Sequence, residues 1–235
     1  MKKIFKFVFV LLFIFTVSLT VSCKKEDPME DFTQAYKNMQ ECKNFSLTQE
    51  TNATIITGGD EVSQSSVTYY KEGNDKQFSS AVVYEDRCME IYSELVDGTY
   101  YTYDNTTTNF GTLVASTSFT YDYYRKAMLY LGLDIKASDF SYDEENDIYV
   151  GNVDKLASQL RDYYLSQNPG SEYKLSTSVT KFNIKVKDGK FESFDMEYSI
   201  TMIQFGVTQT YNYHTVNTFS AFGTTTVEAP TNINR

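Results

Sequence analysis

Apolar and polar positions recur at three different periods along the chain, and the changes of period mark its elements. Residues 7 to 21, FVFVLLFIFTVSLTV, form an unbroken run of apolar or hydroxyl-bearing side chains behind a basic head of Lys2, Lys3 and Lys6. The run is about 15 residues, short of the roughly 20 that a helix needs to cross a bilayer's hydrocarbon core, and its order is that of a secretory leader. After it the period becomes three to four. Met29, Phe32, Tyr36 and Met39 predict an amphipathic helix that ends near Cys42 to Asn44. Asp27 serves as its cap, Pro28 as its first residue and Glu30 as the capping-box acid. Period two then predicts strands over 45–56, 66–71, 77–85, 89–96 and 99–104, with turns at Gly58-Gly59-Asp60, Gly73-Asn74-Asp75 and Asp97-Gly98.

The helical period returns in the middle of the chain. Tyr124, Ala127, Met128 and Leu131 predict a helix that Gly132 stops, and Val153, Leu156, Ala157, Leu160 and Tyr164 predict another, capped by Asn152 and ended before Pro169-Gly170. Between them, residues 140–142 and 148–150 flank the acidic turn DEEND as a short hairpin. The last third reads as strands over 178–187, 190–203, 208–219 and 225–229, the first two joined at Asp188-Gly189. Helix, meander, two helices and meander make an α+β layout: a large antiparallel sheet with about three helices packed on one face.

Ser22-Cys23, with Val21 before them, resembles the lipobox at which bacterial lipoproteins are cut and acylated, although Thr20 stands where that motif usually has Leu. The resemblance implies a leader over 1–22, a lipid-bearing Cys23 at the start of a tether over 23–27, and one domain over 28–235. The other reading is a soluble secreted chain cut nearby, with Cys23 an ordinary thiol. Lys24-Lys25-Glu26-Asp27 also resembles the lysine-plus-acids signal that sends lipoproteins to the cell surface in the Bacteroidetes. One acyl chain holds a protein only marginally to a bilayer, whereas two or more hold it stably, so acylation would make the cell membrane or cell surface its address.

The stretches MEDFTQAYKNM, LVDGTYYTYD, KVKDGKFESFDMEYSI and FSAFGTTTVEAP, in this order, resemble the half-barrel of LolA- and LppX-like lipoprotein carriers. In that family a curved sheet and its helices enclose an apolar cavity for acyl chains. The alternation of Tyr101 and Tyr103, and of Phe194, Met196 and Tyr198, reads either as a core face or as a cavity wall; in such a half-barrel the lining would also draw on Phe32, Tyr36, Met39, Met128, Leu131 and Leu160 from the helices.

Composition narrows the partners. The chain carries 31 acidic against 21 basic side chains, a formal charge of −10, and cleavage before Cys23 would remove three of the lysines and none of the acids. A phosphate backbone is bound through Lys and Arg that displace its counterions, so nucleic acid is not an expected partner, and anionic lipid is not an electrostatic one. The 20 Tyr and 17 Phe, with no Trp, suit half-buried pleated strands. Cys42 and Cys88 remain as an even pair in an exported chain, either bridged or kept as two thiols.

Signs of catalysis are sparse. His214 is the one histidine, in TYNYHTVNTF, where alternation makes it a strand residue at a surface or rim. No nucleophile elbow or phosphate-cradling glycine loop occurs, and DEEND has Ile148 where a calcium loop needs Gly. Zinc ligands reduce to Cys42, Cys88 and His214, a thin set. The expectation is a membrane-tethered, non-catalytic envelope protein without cofactor or metal, holding a lipid or similar apolar ligand. The alternative is a surface structural or interaction lipoprotein that binds a protein or glycan and has no internal ligand.

Overall fold

The computed structural model describes residues 27–74, 77–84, 87–97, 99–104, 112–115, 121–167 and 174–230. The leader, Cys23 and most of the tether therefore lie outside the described residues. No helix among the described residues is long and apolar enough to cross a membrane.

Among the described residues three α-helices, α1 (Pro28–Glu41), α2 (Tyr121–Tyr130) and α3 (Val153–Gln167), accompany eleven strands in one antiparallel sheet. The strands are β1 (Phe45–Thr57), β2 (Asp60–Glu72), β3 (Phe78–Tyr84), β4 (Arg87–Val96), β5 (Thr99–Asp104), β6 (Thr112–Ala115), β7 (Phe140–Asp143), β8 (Ile148–Gly151), β9 (Lys174–Lys187), β10 (Lys190–Gln204) and β11 (Val207–Ser220). Their spatial order is β6-β5-β4-β3-β2-β1-β11-β10-β9-β8-β7, so the first and last strands of the two meanders meet at β1 and β11 and the sheet stays unclosed. This is the expected α+β half-barrel, a curved sheet with helices.

Several strands differ from expectation: β6 is not among those expected, β9 starts at Lys174 instead of 178, and two further differences have a visible cause. Residues 225–229 form no strand. The Asn44 side chain supplies the pairing instead: its Nδ2 donates to the Thr225 carbonyl and its Oδ1 accepts from the Thr225 N–H, each at 2.7 Å. β2 starts at Asp60, well before the expected 66, because every residue of β1 from Phe45 to Thr57 pairs with it.

α1 begins as its sequence dictates, with Asp27 Oδ1 accepting from Met29 N at 2.9 Å. Its apolar face, Phe32, Ala35 and Met39, is fully buried. The Phe32 ring lies 4.9 Å from Phe140, 4.5 Å from Tyr149 and 5.7 Å from Phe191, centroid to centroid. The Tyr149 hydroxyl donates to the Pro28 carbonyl and Asn38 Nδ2 to the Gly189 carbonyl, which fixes both halves of the helix across β8 to β10.

Two bulges set which side chains share that core. Phe191 and Phe194 are three apart, a spacing that would place them on opposite faces of a regular strand. An extra residue at Glu192 restores the phase, since Phe191 pairs with Val186 and Ser193 with Lys185. On β9 an extra residue at Thr180 does the same for Val179 and Phe182.

A buried ion pair ties α2 to this frame. Arg125 Nε lies 3.0 Å from Glu72 Oε1, and the guanidinium also donates to the carbonyls of Met39, Gln40 and Cys42, the last turn of α1 and its cap. Glu72 is fully buried and also accepts from the Tyr70 hydroxyl. One guanidinium thus answers a core carboxylate and the free carbonyls of a helix end.

Cys42 and Cys88 are free thiols, so the bridged alternative is not what the structure holds. Cys42 leads into Phe45, whose row runs through Glu72 and Phe78 to Ser93. Cys88 is five residues farther along β4, roughly 17 Å at the rise of a strand and well outside disulfide reach.

Candidate functional site

The central strands present two chemically opposite faces. On the helix-bearing face, β11 runs Phe219, Asn217, Thr215, Tyr213, Tyr211, and β10 runs Phe194, Met196, Tyr198. Phe219, Asn217, Thr215, Phe194 and Met196 are buried, whereas Tyr213, Tyr211 and Tyr198 are half-buried. On β11 the same face therefore passes from filled core to accessible rings, whereas on β10 Tyr198 stands between Met196 and Ile200, both buried.

The accessible part is a ladder of tyrosines. Tyr198 and Tyr213 are register partners whose rings stack at 4.9 Å, and Tyr211 lies parallel to Tyr213 at 6.3 Å and 5°. Burial, and after it the neighbouring Tyr164 and Tyr213 hydroxyls, raise Tyr198 well above the ordinary tyrosine value, despite an opposing hydrogen bond from Thr215. Burial and then Tyr211 raise Tyr213 as well. Tyr198 and Tyr213 are therefore neutral at physiological pH, and the ladder offers apolar ring faces with hydroxyl tips.

Below it lies a row of buried amides. Gln49 and Asn217 are partners across β1 and β11. Asn217 Nδ2 donates to the Met128 carbonyl of α2 at 3.0 Å, while Asn217 Oδ1 and Gln49 Nε2 are buried without a hydrogen-bond partner among the described residues. Buried polar atoms in that condition are uncommon, because each costs about 1–3 kcal/mol.

The expected lining residues divide between these zones. Phe32, Met39, Leu160, Phe194 and Met196 are at most 1% exposed and pack against one another's neighbours as solid core, filling space instead of lining an opening. Tyr36, Met128, Leu131 and Tyr198 are partly buried around that core. Tyr101 and Tyr103 stand apart on β5, where the Tyr103 and Tyr92 hydroxyls both donate to the Glu94 carboxylate. The depressions beside His214, Arg125, Lys71 and Lys155 are open to solvent and lined by polar groups, so none of these four is a closed apolar chamber. Tyr211, Tyr213, Gln49 and Asn217 were not among the expected residues. The alternation of TYNYHTVNTF separates the two tyrosines from Asn212 and His214, but which set meets the helices depends on the register with β10.

The opposite, open face is polar. A groove of about 360 Å³ crosses it, lined by side chains such as Asn52, Thr54, Glu197, Ser199, Asn212 and His214. Hydroxyl pairs continue along it, Ser178 with Ser199 at 2.8 Å and Thr201 with Thr210 at 3.0 Å.

No family model and no curated relative matches the chain. Among solved structures, it is similar to a DUF1329 family protein from Desulfovibrio piger ATCC 29098, at 12% identity over 83% of this chain and 92% of that one, with a TM-score of 0.27. It is also similar to a putative outer membrane lipoprotein-sorting protein domain from Vibrio parahaemolyticus, at 9% identity over 85% and 94%, with a TM-score of 0.29. The second is named for the class that the sequence resembles; at these superposition scores neither adds to the fold or the site described above.

Proposed function

We propose that the mature chain is a non-catalytic cell-envelope lipoprotein, moored through an acylated Cys23, that holds an amphipathic ligand such as a lipid against the upper half of its helix-bearing face. The observation that carries this reading is the ladder of half-buried Tyr198, Tyr213 and Tyr211 in register above a filled core. Stacked rings with no charge give an apolar body a surface to lie on, and the filled core below sets how deep it can go. The orphaned atoms of Gln49 and Asn217 add a donor and an acceptor for a polar group. This differs from the closed cavity that the resemblance implies: the ligand rests in an open trough.

A second reading, a surface protein that binds a protein or glycan partner, is favoured by the hairpin tip between β10 and β11. There Phe205 is 90% exposed, with Val207 and Ile203 exposed beside it. Native mass spectrometry of the protein purified from its own membranes, before and after organic extraction, separates the readings. The lipid reading predicts a mature chain starting at acylated Cys23 together with a releasable lipid that Tyr198→Ala/Tyr213→Ala no longer retains. An acylated chain with no releasable lipid contradicts the trough and supports the partner-binding reading; an unacylated chain contradicts the mooring.

A further inference from the structure

The open face carries a group of side chains that the ligand reading does not use. Asp195 and Glu197 are two apart on β10 and so project from one face. His214 stands opposite Glu197 on β11, in regular pairing, and Lys181 stands opposite it on β9, next to the bulge at Thr180. His214 Nε2 lies 3.0 Å from Asp195 Oδ1, and Lys181 Nζ lies 2.5 Å from Asp195 Oδ2 and 3.9 Å from Glu197 Oε1. One ring nitrogen of His214 and one oxygen from each carboxylate all lie within 4.8 Å of one another. Around a zinc ion with bonds of about 2.1 Å, tetrahedral ligands are separated by about 3.4 Å, so rotamer adjustments of an ångström or so close the set.

We propose that Asp195, Glu197 and His214 form a binding site for a borderline divalent transition metal, Zn2+ or an ion of similar preference, with an open coordination position facing the groove. Three considerations carry it. The donor set, one imidazole and two carboxylates, suits zinc; calcium takes six to eight oxygens and magnesium a near-ideal octahedron of them. The donors stand on the central strands of an eleven-stranded sheet, where the backbone holds their relative positions. All three are partly exposed, and Glu197 and His214 also line the groove, which gives the ion an entry path and the open position a place for water or an anionic group. Lys181 is the internal competitor. Its ammonium neutralises the carboxylates in the metal-free protein and must swing away when a dication enters, so it weakens the site and tunes it.

The chain's single histidine makes the test clean, since the imidazole NMR signals report on His214 alone. The mature protein, stripped with chelator, is titrated with Zn2+, then separately with Mg2+ and with Co2+. The expected result is a shift of the His214 resonances complete at one equivalent of Zn2+ and absent with Mg2+, with Co2+ producing visible absorption bands and paramagnetic shifts of the same ring. Asp195→Asn and Glu197→Gln should each weaken Zn2+ binding by about tenfold or more, the size of loss seen even when a ligand's outer partner is removed. Lys181→Met should tighten it. These positions are on the surface, and circular dichroism of each variant checks the fold; the wild-type titration and the direction of the Lys181→Met effect decide independently of the other two. Zinc that binds without moving His214, as at Cys42 or Cys88, overturns the proposal, as does unchanged affinity in Asp195→Asn/Glu197→Gln.

Discussion

The lower and upper halves of the helix-bearing face are built by the same strands with the same alternation, yet they differ in what covers them. Below, α1 and α3 press Phe32, Leu156 and Leu160 onto Phe182, Phe191, Phe194 and Met196, and nothing is left exposed. Above, Tyr198, Tyr211 and Tyr213 stay half-buried, around an Ile200 that is itself covered. Phenylalanine gives way to tyrosine where the helical cover thins. Along these two strands the partly open rings carry a hydroxyl tip for water, whereas the buried Phe194 and Phe219 do not. The difference teaches that the sheet's periodicity alone sets no site; the site lies where the cover ends.

The contrast can be broken most forcefully from below. Phe194→Ala removes a ring that is 1% exposed and should cost about 3–5 kcal/mol in urea unfolding, as large-to-small core changes do. A loss under about 1 kcal/mol would mean that the lower half is not a packed core. Arg125→Met should cost a similar 3–5 kcal/mol, because it removes the guanidinium that answers the buried Glu72 carboxylate. The double variant Arg125→Met/Glu72→Gln should recover part of that loss; no recovery would mean that Arg125 acts through the α1 carbonyls alone.

Asp139, which is 1% exposed, secures the segment from the 3-10 turn Ala137–Asp139 into α3. It accepts from Lys136 N, Lys155 Nζ and Gln159 Nε2, so Asp139→Asn should cost about 2 kcal/mol near neutral pH. Burial pushes its carboxyl up, but the bonds from Lys155 and the Lys136 backbone outweigh this and hold it below the ordinary 3.8. Its contribution is therefore present above the unfolded value and is lost as pH falls through the lower folded value. Stability of the natural chain should fall more steeply below about pH 4 than that of Asp139→Asn; parallel curves would contradict the assignment.

The smallest expected effect on stability comes from the upper half and sharpens the comparison most. Tyr213→Ala should cost about 1 kcal/mol or less, the worth of a partly exposed aromatic pair, while abolishing retention of a co-purified lipid. A loss as large as that of Phe194→Ala would place the ladder in the core.

Much of this was legible in the sequence. Asp27, Pro28 and the spacing of Phe32, Tyr36 and Met39 give α1 and its buried face directly, and Asp188-Gly189 marks the β9–β10 hairpin. The tyrosine ladder was legible only in part: Tyr198 shares its alternation with Phe194 and Met196, but whether Tyr211 and Tyr213 or Asn212 and His214 join that face depends on the β10–β11 register, which has no local signature. Phe194 and Met196 read as lining because alternation shows that residues share a face but not what lies over it. His214 read as a lone histidine because its neighbours Asp195 and Glu197 are close only across the β10–β11 pairing. Thr225 read as strand, although one amide, Asn44, makes both bonds that a neighbouring strand would have made.

The absence of tryptophan from the natural chain allows the trough to be probed with a single reporter. A Tyr213→Trp variant, purified in its mature form and delipidated, is mixed with a fatty acid brominated along its chain, and indole emission is followed. The open-trough account predicts saturable quenching with a blue shift, and no quenching of a Phe194→Trp variant that remains folded. Emission from Tyr213→Trp that is indifferent to the brominated lipid would contradict it.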